Sequence, residues 1–372
     1  MSTEQNILSA IAIASDPAQD RTLQNEAVEY LNTVRAGATE TWPVALGLFV
    51  GENTEQRAKQ SVHVRLFALQ VLDELLDNRQ EQLVNAGQAQ ETYATLQSTL
   101  GAYIESEYVI GPAEATAPFI RNKFSHTLAL LFLCTYPDQW PTFFTSISPL
   151  LHASPGASTP TLNPHVTTFF LRLLLEISGE IHDQTLKSAR SFAASRHARD
   201  GRVRDAVRTK DAVGVNSAVL SVLEEVFGRL EAIRAGGPVG PDGLGAQQLT
   251  ELVELAVRAF ASYVPWVDIN LTVTPVTINL LFKLLSDPVV PIRLATSAAL
   301  LRIVQKGLKE PSDKLQLLRV LALGQVLEML ETKTRIPANK DDGDNDDEVS
   351  YRESLGKLTS GLGLELIKFC DD

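Results

Sequence analysis

Cysteine and methionine are almost missing from this chain, with two of each in 372 residues. Cys134 and Cys370 lie too far apart for a zinc motif or a disulfide framework, which points to a reducing compartment. No apolar run approaches the roughly 18 residues of a membrane span. The opening residues, MSTEQNILSAIAIASDP, hold neither a basic n-region nor an unbroken apolar stretch, so they are no secretory signal. A positive excess is missing too: 33 Lys and Arg stand against 45 Asp and Glu, a net charge of -12. That excludes a general nucleic-acid coat and leaves room only for a local basic patch. His63, His126, His152, His165, His182 and His197 are isolated and show no metal spacing. No nucleophile elbow or Cys–His pairing is present. The expectation is a soluble protein of the cytosol or nucleus, with no membrane partner, no cofactor, no metal and no enzymatic activity.

What fills the chain is helical periodicity. In HVRLFALQVLDELLDN, Val64, Phe67, Ala68, Val71, Leu72, Leu75 and Leu76 form one stripe at i, i+3, i+4, i+7 spacing. FIRNKFSHTLALLFL and HVTTFFLRLLLEISGEI repeat the pattern, and no period-2 strand competes with it. The helices come in pairs separated by short polar or Pro-containing turns, which predicts an all-α helical solenoid whose hairpins bury their faces against neighbours. TINLLFKLLSDPVVPIRLATSAALLRIVQKGL is the best single unit. A Leu-rich helix is followed by Asp287 and Pro288, then by Ile292 and Arg293 ahead of small residues. This resembles a HEAT repeat, in which the turn Asp accepts hydrogen bonds from free N–H groups of the second helix.

Aromatic-proline corners punctuate the array. In CTYPDQWPTFF, Tyr136 before Pro137 must leave the helical region. Asp138 is the expected N-cap of the next helix, with Pro141 in its first turn. TWPVALGLF (41–49) has the same pattern, and YVPWVDINL (263–271) is a third corner. The Gly/Pro-rich stretch 234–247 reads as an inter-helix loop; it follows a helix and lacks Gly-Lys-Ser/Thr, so it is no phosphate loop. KDDGDNDDE (340–348) reads as a solvated acidic loop. Asp342, Asp344, Asp346 and Glu353 match positions of a calcium loop, but Asp347 stands where the sharp turn needs Gly.

APFIRNKFSHTLALLFLCTYPDQWPTFF (117–144) resembles the exportins of the importin-β superfamily, most closely the tRNA exporters among them. Phe119-Ile120-Arg121-Asn122-Lys123, the apolar helix, Tyr136-Pro137, Trp140-Pro141 and Phe143-Phe144 carry the resemblance. EQNILSAIAIASDPAQDRTLQNEAVEYLNTVR is similar to that family's first hairpin, and FASYVPWVDINLTV to its middle corner. The resemblance implies a right-handed HEAT superhelix and the N-terminal portion of a longer receptor. It also implies partners: Ran in its GTP form, tRNA and Phe-Gly nucleoporins, with shuttling between nucleus and cytoplasm.

On that basis residues 1–150 are expected to hold the Ran-binding repeats. Residues 151–339 hold further repeats with a basic patch, 340–348 the acidic loop, and 349–372 the start of another helix in an array that runs on. The Ran candidates are Arg65, Asp73, Asp77, Arg121 and Lys123, polar positions on the helices at 62–78 and 118–135. The basic run KSARSFAASRHARDGRVRDAVRTK stands out in so acidic a chain. Lys187, Arg190, Arg196, Arg199, Arg202, Arg204, Arg208 and Lys210 are its candidates for tRNA phosphates, since the guanidinium fork matches phosphate. A solvated face, or an acidic protein partner, would explain the same run. Two other functions stay open: export of a different cargo, and a HEAT scaffold that only docks proteins.

Overall fold

The computed structural model describes residues 3–53, 58–111, 117–153, 161–182, 194–240, 243–322, 324, 328 and 346–369. The chain folds as an all-α array of HEAT type. Apart from its helices, the described residues contain one antiparallel ladder of two short strands, β1 (Glu52–Asn53) and β2 (Ala58–Lys59). The array divides into two compact units, residues 1–204 and 205–372.

In the first unit, α1 (Thr3–Ser15) packs on α2 (Arg21–Ala36), and α3 (Ala38–Val50) on α4 (Val62–Asn78). After the short α5 (Gln80–Asn85), α6 (Ala89–Ile104) packs on α7 (Pro118–Thr135). α8 (Phe143–Ile147) leads to α9 (Pro164–His182), and α4, α7 and α9 stack in sequence order. The starts are chemically marked. Asp20 accepts from the Thr22 amide and Ser61 from the Val64 amide, satisfying donors that have no partner inside their helices.

α4 is squeezed between α3 and α7, so it buries two faces rather than one. All seven apolar residues of its predicted stripe are buried, and so are Arg65, Leu69 and Asp73. Phe49, Tyr103, Tyr108, Phe124 and Phe169 gather beside it from α3, α6, α7, α9 and the turn at 105–110, with neighbouring ring centroids 4.7–6.5 Å apart. Such contacts add roughly 0.5–1.5 kcal/mol each beyond area burial.

Tyr136 ends α7 in an extended conformation, φ -85 and ψ 141, as the proline after it requires. The rest of that corner differs from the sequence expectation. The Gln139 and Trp140 amides both donate back to the Thr135 carbonyl, and Trp140 is buried against Phe143. The next helix therefore starts only at Phe143, and Asp138 caps nothing. At 41–43 there is no corner either. Gly37 makes the turn, and α3 runs from Ala38 through Pro43.

The second unit continues the pattern. α10 (Ala194–Lys210) begins in the first unit and ends in the second. α11 (Ala212–Arg234) packs on α12 (Ala246–Tyr263). The short α13 (Ile269–Thr272) precedes α14 (Pro275–Leu285), which pairs with α15 (Val290–Gln305). α16 (Pro311–Leu321) follows, and α17 (Asp346–Ile367) lies along α15. Asp287 in the α14–α15 turn accepts from the Val289 amide at 2.8 Å, the role expected of a HEAT-turn aspartate, and it also takes both ends of the Arg234 guanidinium. No described helix is long and apolar enough to cross a membrane.

Candidate partner-binding site

A polar groove of about 340 Å³ opens in the first unit beside α4 and α7. Asp73, Glu74, Asp77 and Asn78 line it from α4, Lys123 and His126 from α7, and Arg35 from α2. The two α4 aspartates and Lys123 are predicted site residues, brought together because both helices turn a polar edge the same way. Lys123 pairs with Asp73, and Thr127 donates its hydroxyl to the same carboxylate. His126 reaches from Asp73 (3.9 Å) to Glu176 (3.0 Å) on α9. Burial pulls the His126 pKa down, but the hydrogen bond to Glu176 and the charges of Asp73, Glu176 and Glu180 outweigh it. The net shift is upward, toward a protonated ring.

The other two Ran candidates lie elsewhere. Arg65 is 2% exposed; it donates to the Phe49 carbonyl and to the Tyr103 hydroxyl, and its guanidinium lies over both rings. It is a core cation rather than a surface charge. Arg121 does not line the groove; its charge helps to hold the His165 pKa below its ordinary value, after the larger effect of burial.

The basic run also splits. Lys187 and Arg190 lie outside the described residues. Arg196 and Arg199 are each only 8% exposed. Arg196 donates to Asp77 of α4 and to Glu180 of α9 (2.7 Å), with Asp200 at 3.8 Å. Arg199 binds Asp200 through two nitrogens, at 2.9 and 3.0 Å, and donates to Gln80 and to the Cys134 sulfur. Burial pushes the Cys134 thiol up against the pull of Arg199. Both guanidiniums are thus withdrawn from any phosphate-facing surface: a buried arginine needs carboxylates, and these two have them. Arg202, Arg208 and Lys210 face solvent, with Arg204 half-buried. Sequence reasoning missed the cage acids Glu180 and Asp200. They lie on α9 and α10, more than a hundred residues beyond Asp77, and only the seating of α10 against α4 and α9 joins them.

The described residues contain no group of three or more metal-ligating side chains arranged to hold an ion. Most of the acidic tract 340–348 lies outside the described residues. Residues 346–348 are described and already belong to α17, where Glu348 pairs with Arg293.

Comparison with known proteins decides the family. Residues 117–300 match the model of the Exportin 1-like protein family. Exportin-T of Coprinopsis cinerea is 53% identical over 99% of this chain and 34% of its own length. Exportin-T of Laccaria bicolor is 51% identical over 98% of this chain and 33% of its own, and that of Mycosarcoma maydis 34% identical over 99% and 34%. The chain is an exportin-T homologue. It spans about a third of the length of the curated relatives it matches. Exportins are transport receptors rather than enzymes, in keeping with the lack of a catalytic motif in the sequence.

Proposed function

We propose that this chain is the Ran-loading part of a nuclear export receptor that takes tRNA from nucleus to cytoplasm through the pore. The observation that carries this reading is the 53% identity to an exportin-T along 99% of the chain. In this reading Ran, in its GTP form, docks on the α4–α7 groove, with Asp77 and Lys123 as its contacts and Asp73 holding Lys123 in place. The solvent side of α10, with Arg202, Arg208 and Lys210 exposed and Arg204 half-buried beside them, meets the tRNA backbone, which is read by shape and phosphate. Phe-Gly nucleoporins contact the receptor during passage. Residues 1–150 then serve Ran, and 151–339 serve cargo.

The decisive experiment titrates GTP-locked and GDP-bound Ran against the chain and against the double charge reversal Asp77→Lys, Lys123→Glu. Preference for the GTP form, lost in the variant, supports the reading. Indifference to the nucleotide favours a docking scaffold, and unchanged affinity in the variant removes the groove.

The inward turn of Arg196 and Arg199 favours a second reading of the cargo. With three exposed cations and the half-buried Arg204 left described in the run, RNA affinity at this site alone is modest, and an acidic protein is a competing cargo for the same face. Competition between labelled tRNA and polyglutamate for the chain separates the two.

A further inference from the structure

Asp77 belongs to two neighbourhoods at once. Its carboxylate lines the open groove between α4 and α7, and it also accepts from Arg196 of α10, a guanidinium that is 8% exposed. Arg196 has more acid around it than one charge needs, because Glu180 accepts at 2.7 Å and Asp200 lies at 3.8 Å, one helical turn on. Glu180 and Asp200 are 6% and 0% exposed and do not line the groove. Of the three carboxylates, Asp77 alone is within reach of a molecule in the groove.

This arrangement has an energetic consequence. Removing every partner of a buried arginine strands a charge at a cost of several kcal/mol. Diverting only Asp77 does not, since Glu180 still neutralises Arg196 and Asp200, bonded to Arg199, adds its field from 3.8 Å. The contact therefore exchanges at the modest cost of one charge-assisted hydrogen bond. What is loosened is the first half of α10, which the Arg196 and Arg199 contacts tie to α4, α7 and α9.

We propose that the Arg196–Asp77 pair is a latch. A basic side chain of a protein docked in the groove takes over Asp77, and residues 194–204 of α10, which carry the outward Arg202, are loosened. This rests on the reading of the groove as a docking surface. It adds the link by which docking reaches the basic helix: a carboxylate that can serve the partner or the helix but not both at full strength. Two sites that bias one two-state contact are coupled reciprocally.

The test is amide hydrogen exchange over residues 194–204 in the 372-residue chain, alone and with GTP-locked Ran. Asp77→Asn removes the shared negative charge and leaves only a neutral amide oxygen to accept. Glu180→Gln weakens the cage without touching the groove lining. Exchange should quicken by about tenfold, one charge-assisted hydrogen bond, when Ran is added to the parent. It should already be quick in Asp77→Asn, with no further response, and Glu180→Gln should be quick while still binding Ran. Circular dichroism and the exchange of α12 show that each variant stays folded. If Ran binds in the groove and α10 exchange does not change, the latch is wrong while the docking reading survives. If Ran does not bind, docking of Ran falls, and a hexa-arginine peptide replaces it as the probe. Acceleration by that peptide, abolished in Asp77→Asn, upholds the latch; no acceleration overturns it.

Discussion

Helix α10 carries two kinds of arginine within thirteen residues, 196–208. Arg196 and Arg199 are 8% exposed and locked to acids of α4 and α9 and of α10 itself, whereas the side chains of Arg202 and Arg208 are 65% and 49% exposed. The sequence presents them as one run. The difference shows that a basic run in an acidic protein is two quantities added together: charge that neutralises buried carboxylates, and charge left over for a partner. Only the second can bind a phosphate. The first holds the helix in place.

The largest effect that separates the two halves is on stability. Arg196→Ala leaves Asp77 and Glu180 without their shared cation, while Asp200 keeps Arg199, and a broken buried pair costs about 3–5 kcal/mol. Arg202→Ala removes an exposed side chain and stays within about 0.5 kcal/mol. Urea unfolding of both variants checks this. Equal midpoints would mean that Arg196 is not held as described.

A smaller effect is expected in RNA binding. Reversing Arg202, Arg204, Arg208 and Lys210 to Glu should weaken tRNA binding by at least about tenfold and flatten the log–log salt slope by roughly 3 to 4. Reversal of Arg196 and Arg199 is no substitute, because it disrupts the fold and would be misread as lost contacts. Titration of labelled tRNA at several salt concentrations is the measurement. A parent-like slope in the outward variant would reassign this face to a protein or to solvent.

The contrast also marks how far sequence could see. Periodicity and proline chemistry are local, so the all-α array, the end of α7 at Tyr136 and the HEAT turn at Asp287 were legible. Arg65 was misjudged for a geometric reason. A stripe analysis assigns one buried face, and α4 has two, so a cation beside the stripe entered an aromatic pocket built by Phe49 and Tyr103. Asp73, Asp77 and Lys123 were legible as polar positions on two neighbouring helices. Their partners were not: Thr127 lies 54 residues from Asp73, and Arg196 119 from Asp77. Asp138 failed in a third way. An aspartate ahead of a proline-marked helix start is a good N-cap only if the chain turns at once, and here the burial of Trp140 delays the helix to Phe143.

Protonation sharpens the comparison on the groove side. The folded pKa of His126 lies above its ordinary value, about 6.5 in an unfolded chain. Its contribution is therefore fully present below that pH and is lost as pH rises through the folded value. The parent should lose melting temperature between pH 6 and pH 8.5 by more than His126→Gln does, by about a degree or two. Parallel curves for the two proteins would show that the bridge to Asp73 and Glu176 carries no net stabilisation.

The smallest effect is expected at Asp138, the carboxylate that faces outward Arg202 at 3.9 Å. Both side chains are largely in solvent, 71% and 65% exposed, so the pair is screened and pays rotamer entropy to hold one geometry. Asp138→Asn should leave the melting temperature unchanged within error, and the change should be insensitive to salt. An N-cap role would give the other result: replacement of a capping aspartate by Ala costs about 0.5–2 kcal/mol. Asp138→Ala is thus the more searching variant, because it deletes both the charge and any capping oxygen. A neutral outcome supports the helix start at Phe143 and places Asp138 with the exposed half of the comparison, where charge is available to a partner because the fold does not use it. A loss of a degree or more that salt does not change would mean that the carboxylate caps a helix after all.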